Sequence, residues 1–200
     1  MPRTRAFSLE EAVQAARDEF WDHGYEGTSL ADLERSMGIS RSSLYATFGS
    51  KRALFVTAFE RYIEDVLTPL VEAAEREPAG LDRIASFFGD VRRTFLDRPP
   101  TARRGCLLVN SMTELGGAAD EAADTIARYR DRLRGAFAHA LAGAARSGDL
   151  DGGANARRSS MLVAVAFGAL LMARFDPPTA IAICDSMGPE LDSWRRRSTE

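Results

Sequence analysis

The sequence predicts an all-α protein of about nine helices. Apolar residues recur at intervals of three and four through most of the chain, which is the spacing of one face of an α-helix. Residue types that begin or end helices stand between these segments, among them Ser8, Ser50 and the pair Gly38-Ile39. We find no internal repeat and no convincing alternating pattern of a β-strand.

Composition excludes several functional classes. The chain has 200 residues, 45% hydrophobic and 28% charged, so we expect a soluble protein with a sizeable core. A net charge of −3 argues against coating nucleic acid by bulk charge. Two cysteines and two histidines give neither a disulfide framework nor metal-ligand spacing. We therefore expect no metal, no cofactor and a cytoplasmic location. The longest apolar run, residues 161–171, is too short to span a bilayer, and no signal peptide is visible, so no membrane partner is expected.

The first two helices are predicted from their end signals. Ser8 and Glu11 form a capping box that begins the first helix, and Gly24 is expected to end it. Thr28 is expected to cap the second helix. The buried face of this helix is predicted to carry Leu30, Leu33 and Met37. A basic arm at residues 2–7 precedes these helices; it is either a disordered terminus or a minor-groove contact.

The stretch at residues 38–51 is predicted to be the second half of a helix-turn-helix. Gly38 ends one helix and Ser40 caps the next, on which Leu44 and Phe48 share one inward face. The other faces carry hydrogen-bonding side chains without a carboxylate, as a helix in a DNA major groove requires. We expect Arg41, Ser42 and Ser43 to contact bases and Tyr45, Thr47 and Lys51 to contact phosphates. The complete predicted DNA-binding set is Thr28, Ser29, Ser40, Arg41, Ser42, Ser43, Tyr45, Thr47 and Lys51.

Six further helices follow, and Pro69 is expected to kink the first of them. Their predicted ranges are 51–74, 81–96, 105–115, 119–146, 155–175 and 176–194. One set of residues in this region either lines an apolar cavity or fills a core. This set is Phe87, Phe88, Val91, Phe95, Cys106, Asn110 and Phe137. Cys106 has two interpretations: an electrophile or redox sensor near a helix start, or a buried cysteine that acts as a small hydrophobe.

The last two helices carry more apolar surface than a monomer is expected to expose. A symmetric dimer would cover it. The predicted interface residues are Met161, Leu162, Val165, Gly168, Ala169, Met172, Ile181, Met187 and Leu191. Two other classes compete: an all-α enzyme, and a helical interaction protein that uses its helix-turn-helix for protein contact. No catalytic residues are predicted, since a Gly-rich phosphate loop, a Ser/His/Asp set and a paired carboxylate site are all missing from the sequence.

A series of short motifs with regular spacing covers about a quarter of the chain. They are Gly24-Tyr25, Thr28-Ser29, Asp32-Leu33, Gly38-Ile39-Ser40, Leu44-Tyr45-Ala46-Thr47-Phe48-Gly49-Ser50-Lys51 and Leu54. In residue types and spacing this series resembles the TetR/AcrR family of transcriptional regulators. Glu34, Ser36 and Met37 depart from the small alanines common in the family's second helix.

This resemblance implies a dimeric repressor. Its helix-turn-helix domain (1–52) would bind a palindromic DNA operator, and its helical domain (53–200) would bind a small, apolar or aromatic effector and dimerise through the last two helices. Effector binding would swing the fourth helix and change the spacing of the two recognition helices.

Overall fold

The computed structural model describes residues 8–97, 104–115 and 121–195, and the all-α prediction is confirmed. Within these ranges the regular structure is helical and consists of nine helices, α1–α9, plus a short 3₁₀ turn at Gly152–Ala154. The helices are α1 (Leu9–Gly27), α2 (Leu30–Met37), α3 (Arg41–Phe48), α4 (Lys51–Tyr62, Ile63–Leu67 and Thr68–Glu75 in succession), α5 (Leu81–Asp97), α6 (Leu107–Glu114), α7 (Glu121–Arg146), α8 (Asn155–Phe175) and α9 (Pro177–Trp194). The predicted basic arm, residues 2–7, lies outside the described residues.

Two of the predicted end signals between α1 and α2 are wrong. Helix α1 does not stop at Gly24 but kinks there, with φ +76°, and continues to Gly27. The N-cap of α2 is Ser29, and not Thr28 as expected. Ser29 and Asp32 form a full capping box, in which each side chain accepts the other residue's backbone N–H. Both Thr28 and Ser29 are good capping residues, so residue type alone did not decide between them.

Helix α4 is irregular just before Pro69. The segment Ile63–Leu67 is π-helical, and Pro69 lies in the first turn of the α-helical segment that follows. Hydrogen bonding continues into this segment, since the Thr68 N–H donates to the Ile63 carbonyl. The structure therefore places an irregularity beside Pro69, in the form of a wide turn that precedes the proline.

One continuous apolar core runs from α1 to α9. Helix α1 packs on α2 and α4, the end of α4 packs on α5 and α7, and α8 packs between α7 and α9. The stretch Gly152–Phe175 is long and apolar enough to cross a membrane by length and composition alone, a property that core helices of soluble proteins share. Its inward residues contribute to this core.

Candidate nucleic-acid interface and apolar cavity

Helix α3 is held in place by one fully buried side chain and two end signals. Gly38 adopts a left-handed conformation, with φ +69°, and ends α2. Ser40 caps α3, its hydroxyl accepting the Ser43 N–H at 3.3 Å. Leu44 is 0% exposed, whereas Phe48 is only half-buried. Leu44 is therefore the main anchor of a two-turn helix whose remaining surface is free to meet a ligand.

The outward side of α3 is polar. The side chains of Arg41, Ser42, Ser43, Tyr45 and Thr47 are all exposed, and Tyr45 retains 43% of its surface. The Ser40 hydroxyl lies 2.9 Å from that of Ser42 and 3.0 Å from that of Ser43, so three hydroxyls cluster at the helix N-terminus. This surface offers donors and acceptors in the form that base edges and phosphates use.

Three of the residues predicted to contact DNA lie outside α3 and its cap, and each of them has an internal partner. Thr28 is 1% exposed, and its hydroxyl donates to the Gly24 carbonyl at 2.6 Å, which leaves almost no surface for DNA. The Ser29 side chain is exposed but engaged in the α2 cap. The half-buried Lys51 donates from Nζ to the Tyr25 carbonyl at 2.6 Å. The same ammonium group lies 4.4 Å from the centre of the Tyr25 ring.

Electrostatics favour the charged form of Asp32 in the α2 cap. The pKa of Asp32 is lowered from 3.8 to about 2, mainly by the side-chain hydrogen bond from Ser29, then by the Ser29 backbone N–H and by Arg35. Because the helix dipole also favours negative charge at this end, the cap is strongest at neutral pH.

The first three helices are tied to the rest of the chain through the end of α1. The Trp21 indole donates to the Gly105 carbonyl at 3.0 Å. The Tyr25 backbone N–H donates to the Glu114 carboxylate at 2.7 Å. Arg104 forms an ion pair with Asp22 and stacks over the Trp21 ring. Motion of the segment that begins α6 would therefore act directly on α1.

An apolar cavity of about 90 Å³ lies beside these contacts. Its walls come from five parts of the chain, and its lining residues are Trp21, Tyr62, Val66, Leu67, Leu70, Val91, Thr94, Phe95, Gly105 and Leu170. The three side-chain donors in the wall are already engaged: Trp21 with Gly105, Tyr62 with the Cys106 sulfur at 3.4 Å, and Thr94 with the Asp90 carbonyl at 3.1 Å. The cavity is thus suited to an uncharged, mainly apolar molecule.

Five of the residues predicted to form an effector pocket fall into two groups. Val91 and Phe95 line the cavity. Phe87, Phe88 and Phe137 instead pack against one another in the core, with ring centroids 5.1–6.1 Å apart. Most of the lining residues were missed because they come from α1, α4, α8 and the residue before Cys106, and no single periodic pattern joins them.

Cys106 and Asn110 lie behind the cavity wall. Cys106 is buried, and burial raises the pKa of its thiol, which disfavours the reactive thiolate. Burial also raises the pKa of Tyr62 well above its ordinary value. The Asn110 amide donates to the Arg104 carbonyl at 2.9 Å, which fits the structural interpretation of this residue. In the part of the chain that the structure describes, no group of three His, Cys, Asp or Glu residues could hold a metal ion.

Helix α8 carries an exposed apolar face. Of the residues predicted to form a dimer interface, Leu162, Ala169, Met187 and Leu191 are buried within the protomer itself, on α8 and α9. Accessible surface remains on the others, Met161, Val165, Gly168, Met172 and Ile181. Two residues that the sequence analysis did not select extend this face: Leu171, which is 39% exposed, and Phe175, which is 86% exposed.

Comparisons with known proteins agree with this geometry. Residues 12–58 match the model of the tetR family of bacterial regulatory proteins, and residues 80–183 match the tetracyclin repressor-like C-terminal domain. The uncharacterized HTH-type transcriptional regulator YezE of Bacillus subtilis is 34% identical over 76% of this chain and 77% of its own length. The HTH-type transcriptional repressor ComR of Escherichia coli is 31% identical over 62% of this chain and 59% of its own length.

Solved structures share the fold over nearly the whole chain. A cysteine mutant of the TetR family regulator CifR, complexed with 26-bp double-strand operator DNA, is 28% identical, covers 96% of this chain and 99% of its own, and superposes with a TM-score of 0.74. The reduced form of Escherichia coli NemR, at 18% identity, has a TM-score of 0.75 over 95% of this chain and 98% of its own.

The polar α3 and its glycine turn define a helix-turn-helix DNA-binding transcriptional regulator. The chain belongs to the TetR family, a family of regulatory proteins and not of enzymes.

Proposed function

We propose that this regulator is a repressor that binds a palindromic operator as a homodimer and is released when a small, uncharged molecule enters the apolar cavity. The DNA-binding part would be residues 1–52, and the effector-binding and dimerisation part residues 53–200. The observation that carries the proposal is the shared wall: Trp21 of α1 and Tyr62 of α4 both line the cavity. The similar protein ComR of Escherichia coli is a transcriptional repressor, which supports the direction of control.

Dimerisation accounts for DNA binding by a chain of net charge −3. A single α3 offers one arginine and several hydroxyls, which is a small surface. Two copies related by a two-fold axis would place two such helices in successive major grooves, so that half-site symmetry follows protein symmetry. We expect the exposed apolar face of α8 to form the dimer interface, through which this two-fold axis passes.

The size of the cavity explains how a ligand would be sensed. Its volume of about 90 Å³ is smaller than the engineered cavity of about 150 Å³ that binds benzene in another protein. An aromatic effector must therefore displace wall residues. Because the Trp21 and Tyr62 rings contact each other, with centroids 4.8 Å apart, this displacement would move α1 relative to α4.

A second cleft of about 370 Å³ lies between α4 and α7, lined in part by Glu60, Glu64, Arg128 and Arg132. It is wide open to solvent and charged on both sides. The enclosed cavity matches an apolar ligand better than this cleft does, since small-molecule sites are mostly concave and apolar.

The DNA-binding part of the proposal is tested by a gel shift with the DNA that flanks the gene. Arg41→Ala is expected to weaken binding about 5- to 150-fold, the worth of a good base contact, and Tyr45→Ala to weaken it strongly as well. Thermal midpoints should stay near wild type because both side chains are exposed. Affinity should fall steeply with salt. If both variants bind as the wild type does, α3 is not the groove helix.

The ligand part is tested without knowing the effector by filling the cavity. Val91→Phe places a ring in the cavity wall and is expected to weaken operator binding about 5- to 150-fold, the range of typical allosteric coupling. Val163→Phe is the matched control, because Val163 is equally buried on α8 but does not line the cavity. Equal operator affinity of the two folded variants would contradict the proposed role of the cavity.

The alternative, sensing of electrophiles or oxidants by Cys106, is favoured by one contact: the Tyr62 hydroxyl donates to its sulfur at the cavity wall. Burial and the raised pKa of the thiol weigh against it. Labelling of the native protein with a thiol reagent separates the two interpretations. Absence of reaction at Cys106, or reaction without loss of DNA binding, would exclude the sensor.

A further inference from the structure

Glu34 of α2 reaches across the turn to the beginning of α3. Its Oε1 accepts the backbone N–H of Arg41 at 2.6 Å, and its Oε2 lies 3.6 Å from the Arg41 Nε. The Glu34 side chain is 31% exposed, so this carboxylate is neither a free surface charge nor part of the core. Six residues, among them the turn glycine Gly38, separate the two partners.

The first of these contacts supplies what the sequence of α3 lacks. An α-helix begins with free N–H groups and a partial positive charge, both of which a carboxylate stabilises. Helix α3 has no acidic residue in its own first turn. Ser40 satisfies the N–H of Ser43, and Glu34 satisfies that of Arg41. A negative charge on α2 therefore caps α3 and fixes the angle between the two helices.

The second contact directs the Arg41 side chain. The carboxylate approaches the guanidinium most closely at the Nε edge, and the Arg41 side chain remains 58% exposed. The terminal edge is one that can donate two parallel hydrogen bonds to a guanine in the major groove. An arginine held on one edge enters such a contact with less loss of side-chain entropy than a free one.

We propose that Glu34 is a positioning residue for sequence recognition: it holds the start of α3 and aims Arg41 at one base pair in each half-site. This inference rests on the proposed assignment of Arg41 to a base. A carboxylate that only repelled DNA would have a different effect when removed. For Glu34, we expect removal of the carboxylate to weaken discrimination between base pairs and to leave affinity for DNA of any sequence unchanged or higher.

The experiment selects duplexes from a randomised library with the full-length protein and compares the variants. Glu34→Gln keeps an oxygen for the Arg41 N–H but loses the charge that directs the guanidinium. Glu26→Gln is the matched control, since it changes net charge equally at an exposed residue of α1. We expect the base preference at one position per half-site to fall at least about fivefold in Glu34→Gln and to stay unchanged in Glu26→Gln.

Affinity for a random-sequence duplex should be the same for the two variants. Arg41→Ala should lose the same preference, and the double variant Glu34→Gln/Arg41→Ala should lose no more than Arg41→Ala alone.

Three results would overturn the inference. Identical base preferences of Glu34→Gln and Glu26→Gln would show that the charge does not position Arg41. A second variant, Glu34→Ala, removes the oxygen as well as the charge. If both Glu34 variants bind selected and random duplexes with equally reduced affinity, and both have lowered thermal midpoints, Glu34 acts as a helix cap only. Retention of the preference in Arg41→Ala would also remove Arg41 from the proposed base contacts. If the wild-type protein selects no sequence, the proposed function fails with the inference.

Discussion

Helices α3 and α8 each present an exposed face, and the two faces have opposite chemistry. On α3 the exposed side chains include Arg41, three hydroxyl-bearing residues and Tyr45, whereas on α8 they include Met161, Leu171 and Phe175. Helix α3 is short and has one fully buried side chain, while α8 has 21 residues and contributes six to the apolar core.

This difference shows how one chain can carry two kinds of binding surface. A polar face can stay in water at little cost until a nucleic acid presents partners to it. A large apolar face is favourable only when another surface covers it. In the proposed function, the first surface would determine which molecule is recognised, and the second would determine how many copies act together.

The largest expected effect comes from placing a charge on the apolar face. Leu171→Glu should convert a dimer into monomers, because a buried unpaired carboxylate at an interface is costly. Loss of the second half-site should weaken operator binding by about 100-fold or more. Analytical ultracentrifugation and a DNA titration measure the two effects. Ala85→Glu, on an exposed position of α5, is the control and should remain dimeric. A dimeric Leu171→Glu protein would remove α8 from the proposed interface.

A smaller effect separates anchoring from recognition. Leu44→Ala and Leu162→Ala truncate the same side chain at two fully buried sites, one on α3 and one on α8. Each should lower the free energy of unfolding by about 2–5 kcal/mol in a chemical denaturation experiment. Only Leu44→Ala should also weaken DNA binding by the folded protein, since it loosens α3 itself. Both variants are measured under conditions where they are folded. Equal DNA affinity of the two folded variants would contradict a specific role of Leu44 in holding α3.

The smallest expected effect is the pH dependence of the stability that the N-terminal cap of α2 provides. Helix α2 has a charged cap, whereas α8 has no side-chain cap. The pKa of Asp32 is lowered to about 2 in the folded state, so its stabilisation is fully present above its ordinary value of 3.8 and is lost as pH falls towards 2. Asp32→Asn lacks this stabilisation at every pH. The difference in thermal midpoint between the wild type and Asp32→Asn should therefore disappear between pH 4 and 2; a constant difference would mean that ionisation of Asp32 does not contribute.

The N-terminal helices could be predicted from the sequence because their signals are local. Gly38, Ser40 and Leu44 each act within a few residues, and the structure gives them the expected turn, cap and buried anchor. The cavity could not be predicted in the same way. Trp21, Tyr62 and Leu170 are brought together by packing between distant helices, and the aromatic stripe on α5 indicated burial without distinguishing a cavity wall from a filled core.

The π-helical turn at Ile63–Leu67 has a consequence for length variation along α4. A π turn accommodates one more residue than an α turn does, so the helix before it and the helix after it keep the facing directions that their partners require. Deleting one residue inside this turn should keep the faces of the two flanking segments in register. Deleting one residue elsewhere in α4 would rotate one end against the other by about 100°. Among the turns of α4, this one is the place where the chain can lose a residue without misaligning α1 against α5.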